Sequence, residues 1–127
     1  LGWVRSVTDL TPYETRLERE AYLGSRRFPD GRLLEWQQIG VTGLINDPQL
    51  PFFIKWTSEE EVLPRALDGD IDLVGVEIAG SRSRVSNWLG AEVGDSLDDV
   101  DFVFTAPNGN PGLDAATFAT SKGLVRI

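Results

Sequence analysis

Apolar positions along the chain first alternate, then recur every three or four residues, then alternate again, and this cycle is completed twice. From Gly2 to Thr8 the alternation is that of a strand, with Trp3, Arg5 and Val7 on one side and Val4, Ser6 and Thr8 on the other. A helix start follows: Thr11 as N-cap, Pro12 at the first helical position, and Glu14 closing a Thr-x-x-Glu box that occupies free backbone amides. Tyr13, Leu17 and Ala21 form its apolar stripe, Glu14, Arg16, Glu18, Arg19 and Glu20 take the wet side, and Gly24 is the expected stop. Phe28-Pro29-Asp30-Gly31 reads as a turn into a longer strand at Arg32 to Val41, and Leu50 to Thr57 is the next dense strand.

Between the halves, Thr57 or Ser58 caps the acidic turn Glu59-Glu60-Glu61, Pro64 limits it, and residues 67–70 form a linker. The second cycle begins with a strand at Leu73 to Ala79, whose Val74, Val76 and Ile78 share an apolar face. Ser81 caps a short helix that buries Val85, Trp88 and Leu89 and stops at Gly90. Strands at Val100 to Ala106, Leu113 to Ala119 and Gly123 to Ile127 follow, joined by turns at 107–112 and 121–123. Sliding Val4 onto Val74 matches strand to strand, helix to helix and Gly24 to Gly90. The expectation is a single α+β domain over residues 1–127. Two β-α-β-β-β modules, 1–66 and 71–127, would form a curved, mainly antiparallel sheet around a cleft.

Composition narrows the chemistry. A net charge of −8 disfavours a nucleic-acid partner, because phosphate binding needs clustered Lys and Arg. No apolar run reaches the roughly 20 residues that span a bilayer, so no membrane partner is expected. With no Cys and no His, thiolate catalysis, disulfides, the usual zinc sites and the commonest general base are gone. No leader or lipidation pattern is visible, which makes a cytoplasmic location the expectation, and the absence of an initial Met suggests a segment of a longer protein.

The remaining candidates are carboxylates, cations and rings. Strand alternation puts Glu77 with Leu73 and Gly75, opposite Val74, Val76 and Ile78. There it is either a desolvated general base with a raised pKa or one half of an ion pair with an arginine at a strand end. Glu35 and Gln37 share one face of their strand, which lines the cleft or faces solvent. Lys55, Arg126 and Arg5 suit a carboxylate-bearing or aromatic ligand, or guard strand edges. Trp3, Trp36, Trp56, Phe53, Phe102 and Phe104 are numerous enough to line a pocket as well as fill a core.

The paired element order, the R-x-P-D-G-R-L-L-E-W stretch of Arg27 to Trp36, the Leu50-Pro51-Phe52-Phe53-Ile54-Lys55-Trp56 strand, and Val74 to Ile78 leading to Trp88-Leu89-Gly90 resemble the vicinal oxygen chelate superfamily and its glyoxalase-like domains. The resemblance implies two modules enclosing a cleft. In the superfamily's enzymes a divalent metal sits there, held by His, Gln or Glu from the first and last strands, and chelates adjacent oxygens of the substrate. Here those positions fall near Trp3, Leu73, Lys55 and Arg126, none of which suits a metal, so neither metal nor other cofactor is expected. A hard cation would need a rearranged set such as Glu35, Gln37 and Glu77.

The expected function is therefore binding of a small organic molecule without a metal, with Trp3, Arg5, Trp36, Gln37, Phe53, Lys55, Leu73, Phe102, Phe104 and Arg126 as ligand contacts. The alternatives are a lyase, isomerase or dioxygenase-like enzyme using Glu77 or Glu35, and a non-catalytic structural or interaction domain. The superfamily also pairs modules between chains, which would make a homodimer.

Overall fold

The computed structural model describes residues 2–41, 46–58 and 71–127, in two units that are treated separately. The expected acidic turn at 59–61 and the linker at 67–70 lie outside the described residues.

One unit comprises residues 4–41 and 51–58. It contains β1 (Val4–Ser6), α1 (Thr11–Leu17), β2 (Tyr22–Arg27), β3 (Leu33–Ile39) and β4 (Phe52–Trp56), in a sheet of order β1-β4-β3-β2. β1 runs parallel to β4, and the other pairs are antiparallel. The turn between β2 and β3 forms as its residues demand. Gly31 takes φ +91°, its amide donates to the Phe28 carbonyl at 2.9 Å, and the Phe28 amide donates to the Arg32 carbonyl at 2.8 Å. The Asp30 carboxylate accepts from the Arg32 amide and guanidinium.

Helix α1 departs from expectation at both ends. It begins at Thr11, and Leu10 precedes it with no side-chain cap. Asp9 does the work expected of Thr11, its Oδ1 accepting from the Thr11 amide at 3.0 Å. Glu14 accepts from the amide of Ala21 at 3.3 Å, seven residues on, and closes no capping box. The helix ends at Leu17, where Glu18 turns left-handed, and Gly24 lies inside β2. Six register pairs between β2 and β3 explain the early stop, because the chain must be extended from Tyr22 to make them.

The other unit comprises residues 2–3, 46–50 and 71–127. It holds β5 (Asp72–Ala79), α2 (Arg82–Leu89), β6 (Ser96–Leu97), β7 (Val100–Thr105), β8 (Gly112–Thr120) and β9 (Gly123–Arg126), in the order β6-β7-β5-β8-β9. Here the punctuation works as read. The Ser81 hydroxyl accepts from the Arg84 amide at 3.3 Å, Val85, Trp88 and Leu89 are buried, and Gly90 closes the helix at φ +72°. The short β6, not anticipated, turns into β7 through Asp98 and Asp99, both left-handed, as a two-residue hairpin loop requires.

Both units run strand, helix, strands, and together they form a mixed α+β fold with two mostly antiparallel sheets, but their pairing differs. In the four-stranded sheet β2, the strand after the helix, takes the far edge and the last strand returns beside β1. In the five-stranded sheet β7 lies directly beside β5, in parallel. The match of Gly24 to Gly90 therefore fails: one glycine sits in mid-strand and the other ends a helix.

Candidate functional site

In the four-stranded sheet, register sorts the expected site residues onto two faces. Phe53 lies directly beside Arg5 and Ile39, and the Tyr13 ring of α1 covers it at 4.3 Å between centroids. Gln37 and Lys55 are cross-strand partners on that same face, and Glu35 follows by alternation. Phe53 is fully buried there, so it is core beneath α1. Glu35 is exposed, and its backbone is tied to Ser58, whose hydroxyl accepts from the Glu35 amide. Lys55 adds its positive field near Asp9, whose carboxyl is held below its ordinary value chiefly by the hydrogen bonds from Thr11.

Trp36 points to the opposite face, away from α1 and across from Trp56, and the two half-buried rings meet edge to face at 5.8 Å and 67°. Leu34 is buried beneath them, with Phe28 packed alongside. Gly24 stands directly across from Trp36 on β2, and a Cβ there would come within 2.3 Å of the indole nitrogen. That glycine thus clears the ground for the ring. The Trp36 indole N–H donates to Gln38 Oε1 at 2.9 Å, and Gln38 is flanked across the sheet by Tyr22 and Ile54. Tyr22 also borders a hollow of about 310 Å³ with Glu18, Glu20 and Val41.

In the five-stranded sheet, Glu77 and Arg126 meet. The guanidinium donates twice, Nε to Oε2 at 2.7 Å and Nη2 to Oε1 at 3.0 Å. This bond from Arg126 holds the Glu77 carboxyl below its ordinary value, and Glu77 in turn raises Arg126. The raised pKa expected of a desolvated Glu77 is thereby corrected: the residue is the ion-paired carboxylate of the other reading. Leu73 does not share its face. A register shift between Leu73 and Gly75 leaves Gly75 opposite Thr117 but Leu73 opposite Phe118, on the other side. Phe102 and Phe104 pair with Val76 and Ile78 on the buried face, where Phe102 meets Trp3 edge to face at 5.7 Å and the Arg82 guanidinium lies over Phe104.

Trp3 is anchored by a residue that periodicity does not flag. Its indole donates to the Gln49 carbonyl at 3.0 Å, and the Gln49 side chain, 8% exposed, accepts from the Ser81 amide and donates to Asp47. Asp47 accepts from Arg84 at 3.2 Å, and a Cβ on Gly80 would strike Gln49. The hub sets the start of α2 and is structural. Gln38 and Gln49 were both missed, because an isolated amide carries no periodic signal. Only the Trp36-x-Gln38 spacing, which puts both on one strand face, pointed to the first.

The positions that hold metal in the superfamily do not fit one here. Trp3 offers only an indole N–H, which donates to Gln49 and has no lone pair for a metal, Lys55 and Arg126 are cations, and Leu73 has no ligating atom. Both oxygens of Glu77 are engaged by Arg126. Among the described residues no three carboxylates converge on a common point, and none of the helices is long and apolar enough to cross a membrane.

Comparison with known proteins now bears on the fold. No curated protein matches the chain. A solved structure, described as a hypothetical protein from Staphylococcus aureus, is similar with a TM-score of 0.68 at 12% identity. The similarity covers 97% of this chain and 63% of that one, so the chain spans under two thirds of its neighbour. The family model described as a glyoxalase-like domain matches residues 1–94, about three quarters of the sequence. The chain belongs to the glyoxalase-like domain family, within the vicinal oxygen chelate superfamily.

Proposed function

We propose that this glyoxalase-like domain binds a small planar organic molecule on the face of its four-stranded sheet opposite α1 and leaves it chemically unaltered. The observation that carries the reading is the half-buried, edge-to-face pair of Trp36 and Trp56. Two indoles at a steep angle offer a flat apolar surface with a rim, which suits an aromatic or conjugated ring. Binding is favoured over reaction because Glu77, the strongest candidate base, is held as a charged carboxylate by two hydrogen bonds from Arg126. A general base works best with a pKa near the operating pH, and this pair moves Glu77 the other way.

The test is a titration with planar aromatic compounds, read by tryptophan fluorescence, with chromatography of the recovered compound. Trp88 is buried and Trp3 is anchored to Gln49, so Trp36 and Trp56 are the expected reporters. Quenching that is saturable, lost in Trp56→Ala, and accompanied by unaltered compound is the expected result. Saturable quenching that survives Trp56→Ala would move the site elsewhere, and a converted compound would make the domain an enzyme.

A further inference from the structure

We infer that Gln38 makes this face selective for a planar ligand that carries a hydrogen-bond acceptor, a carbonyl oxygen or an unprotonated ring nitrogen, at its edge. The inference rests on the binding reading above and names the ligand chemistry for that same face. It begins with the tryptophan. An indole N–H is a donor only, so the atom of Gln38 that lies 2.9 Å from Trp36 Nε1 has to be the amide oxygen. That contact fixes which way round the amide sits. The amide nitrogen, with its two N–H groups, is turned away from the indole, and it has no partner among the described residues.

This nitrogen is nevertheless not sealed in, since among the described residues no buried side-chain nitrogen or oxygen lacks a partner. It therefore keeps some contact with solvent, oriented and unspent, on the strand face that carries the Trp36 and Trp56 rings. Its neighbours across the strands are Tyr22, an exposed ring, and Ile54, a buried aliphatic side chain, neither of them charged. A charged ligand group would find no ionic partner in that row. A neutral acceptor finds a donor already held in place, and so spends little freedom in using it. A ligand without an acceptor would displace the water on this amide and return nothing for it.

The experiment uses quinoline and naphthalene, which have nearly the same shape and differ in one ring nitrogen, at a pH where quinoline is neutral. Binding to the whole chain is followed in proton–nitrogen correlation spectra through the indole N–H signals and the Gln38 side-chain amide. Quinoline is expected to bind roughly three- to tenfold more tightly, the range of one neutral hydrogen bond, and to move the Gln38 amide protons, which naphthalene leaves nearly unchanged. Gln38→Glu keeps an acceptor for Trp36 and loses both donors, so it is expected to abolish the preference while the Trp36 indole signal stays in place. Equal affinity of the wild-type chain for the two compounds, with the indole signals perturbed by both, overturns the role of Gln38 and leaves the binding reading standing. Indole signals that respond to neither compound overturn both. The wild-type comparison needs no substitution, so the outcome does not depend on how Gln38→Glu folds.

Discussion

The two helices show how differently the two units are held. Helix α2 starts on a serine that accepts from its own first turn, buries three side chains and ends on a left-handed glycine. Helix α1 has no side-chain cap, buries none of its residues and ends on a glutamate forced into the left-handed region. The first is fixed from both ends and from beneath, whereas the second is held by Asp9, by Tyr13 over Phe53 and by the strands on either side. A helix can thus be legible from its termini, as α2 is, or be imposed by its surroundings, as α1 is.

The sharpest test of this contrast is a pair of leucines. Leu89→Ala opens a cavity under α2 and is expected to cost about 2–5 kcal/mol, while Leu17→Ala, half exposed on α1, should cost about 1 kcal/mol. Equal losses in denaturant titrations would break the comparison. Next come the glycines. Gly24→Ala drives a Cβ into the Trp36 indole and should cost about 1–3 kcal/mol, with the Trp36 N–H signal displaced. Gly75→Ala meets nothing nearer than 3.7 Å and should be close to neutral. The caps are smaller in effect: Ser81→Ala should lose about 1 kcal/mol and Thr11→Ala no more than about 0.5 kcal/mol, both read from thermal unfolding.

The smallest effect concerns acid. Glu77 has its pKa lowered in the folded chain, so its pairing with Arg126 stabilises fully above the ordinary carboxylate value and is lost as pH falls through the depressed one. The side chains are 32% and 62% exposed, so salt should weaken the contribution. Glu77→Gln should flatten the acid limb of stability relative to wild type and reduce its salt dependence. An unchanged limb would show that the pair stabilises nothing.

These expectations also show which parts of the fold can be read from residues. Ser81, Gly90 and the Val74-Val76-Ile78 alternation are local signals, and each delivered its element almost to the residue. Thr11 and Glu14 met the pattern of a capping box equally well and made none. Pairing with β3 drew the chain into β2 by residue 22, and Asp9 already held the Thr11 amide. Pairing order was not legible at all, because nothing near β7 records that it will lie beside β5. In the candidate site Trp36 was picked out as a large ring, but the faces were mixed: Phe53, Phe102 and Phe104 went inward by register, and Leu73 changed sides at a bulge. Gln38 was not singled out, since only the indole bond gives its amide a direction.

The place of β1 has a consequence for how the chain is made. Among the described residues its one neighbour in the sheet is β4, with Val4 beside Phe52, so this strand must wait for nearly fifty more residues before it can dock. The β2–β3 hairpin needs only its own turn and can form long before. During translation, Val4 to Ser6 would be a loose end in search of an edge, bound in only after the β2–β3 hairpin that follows it.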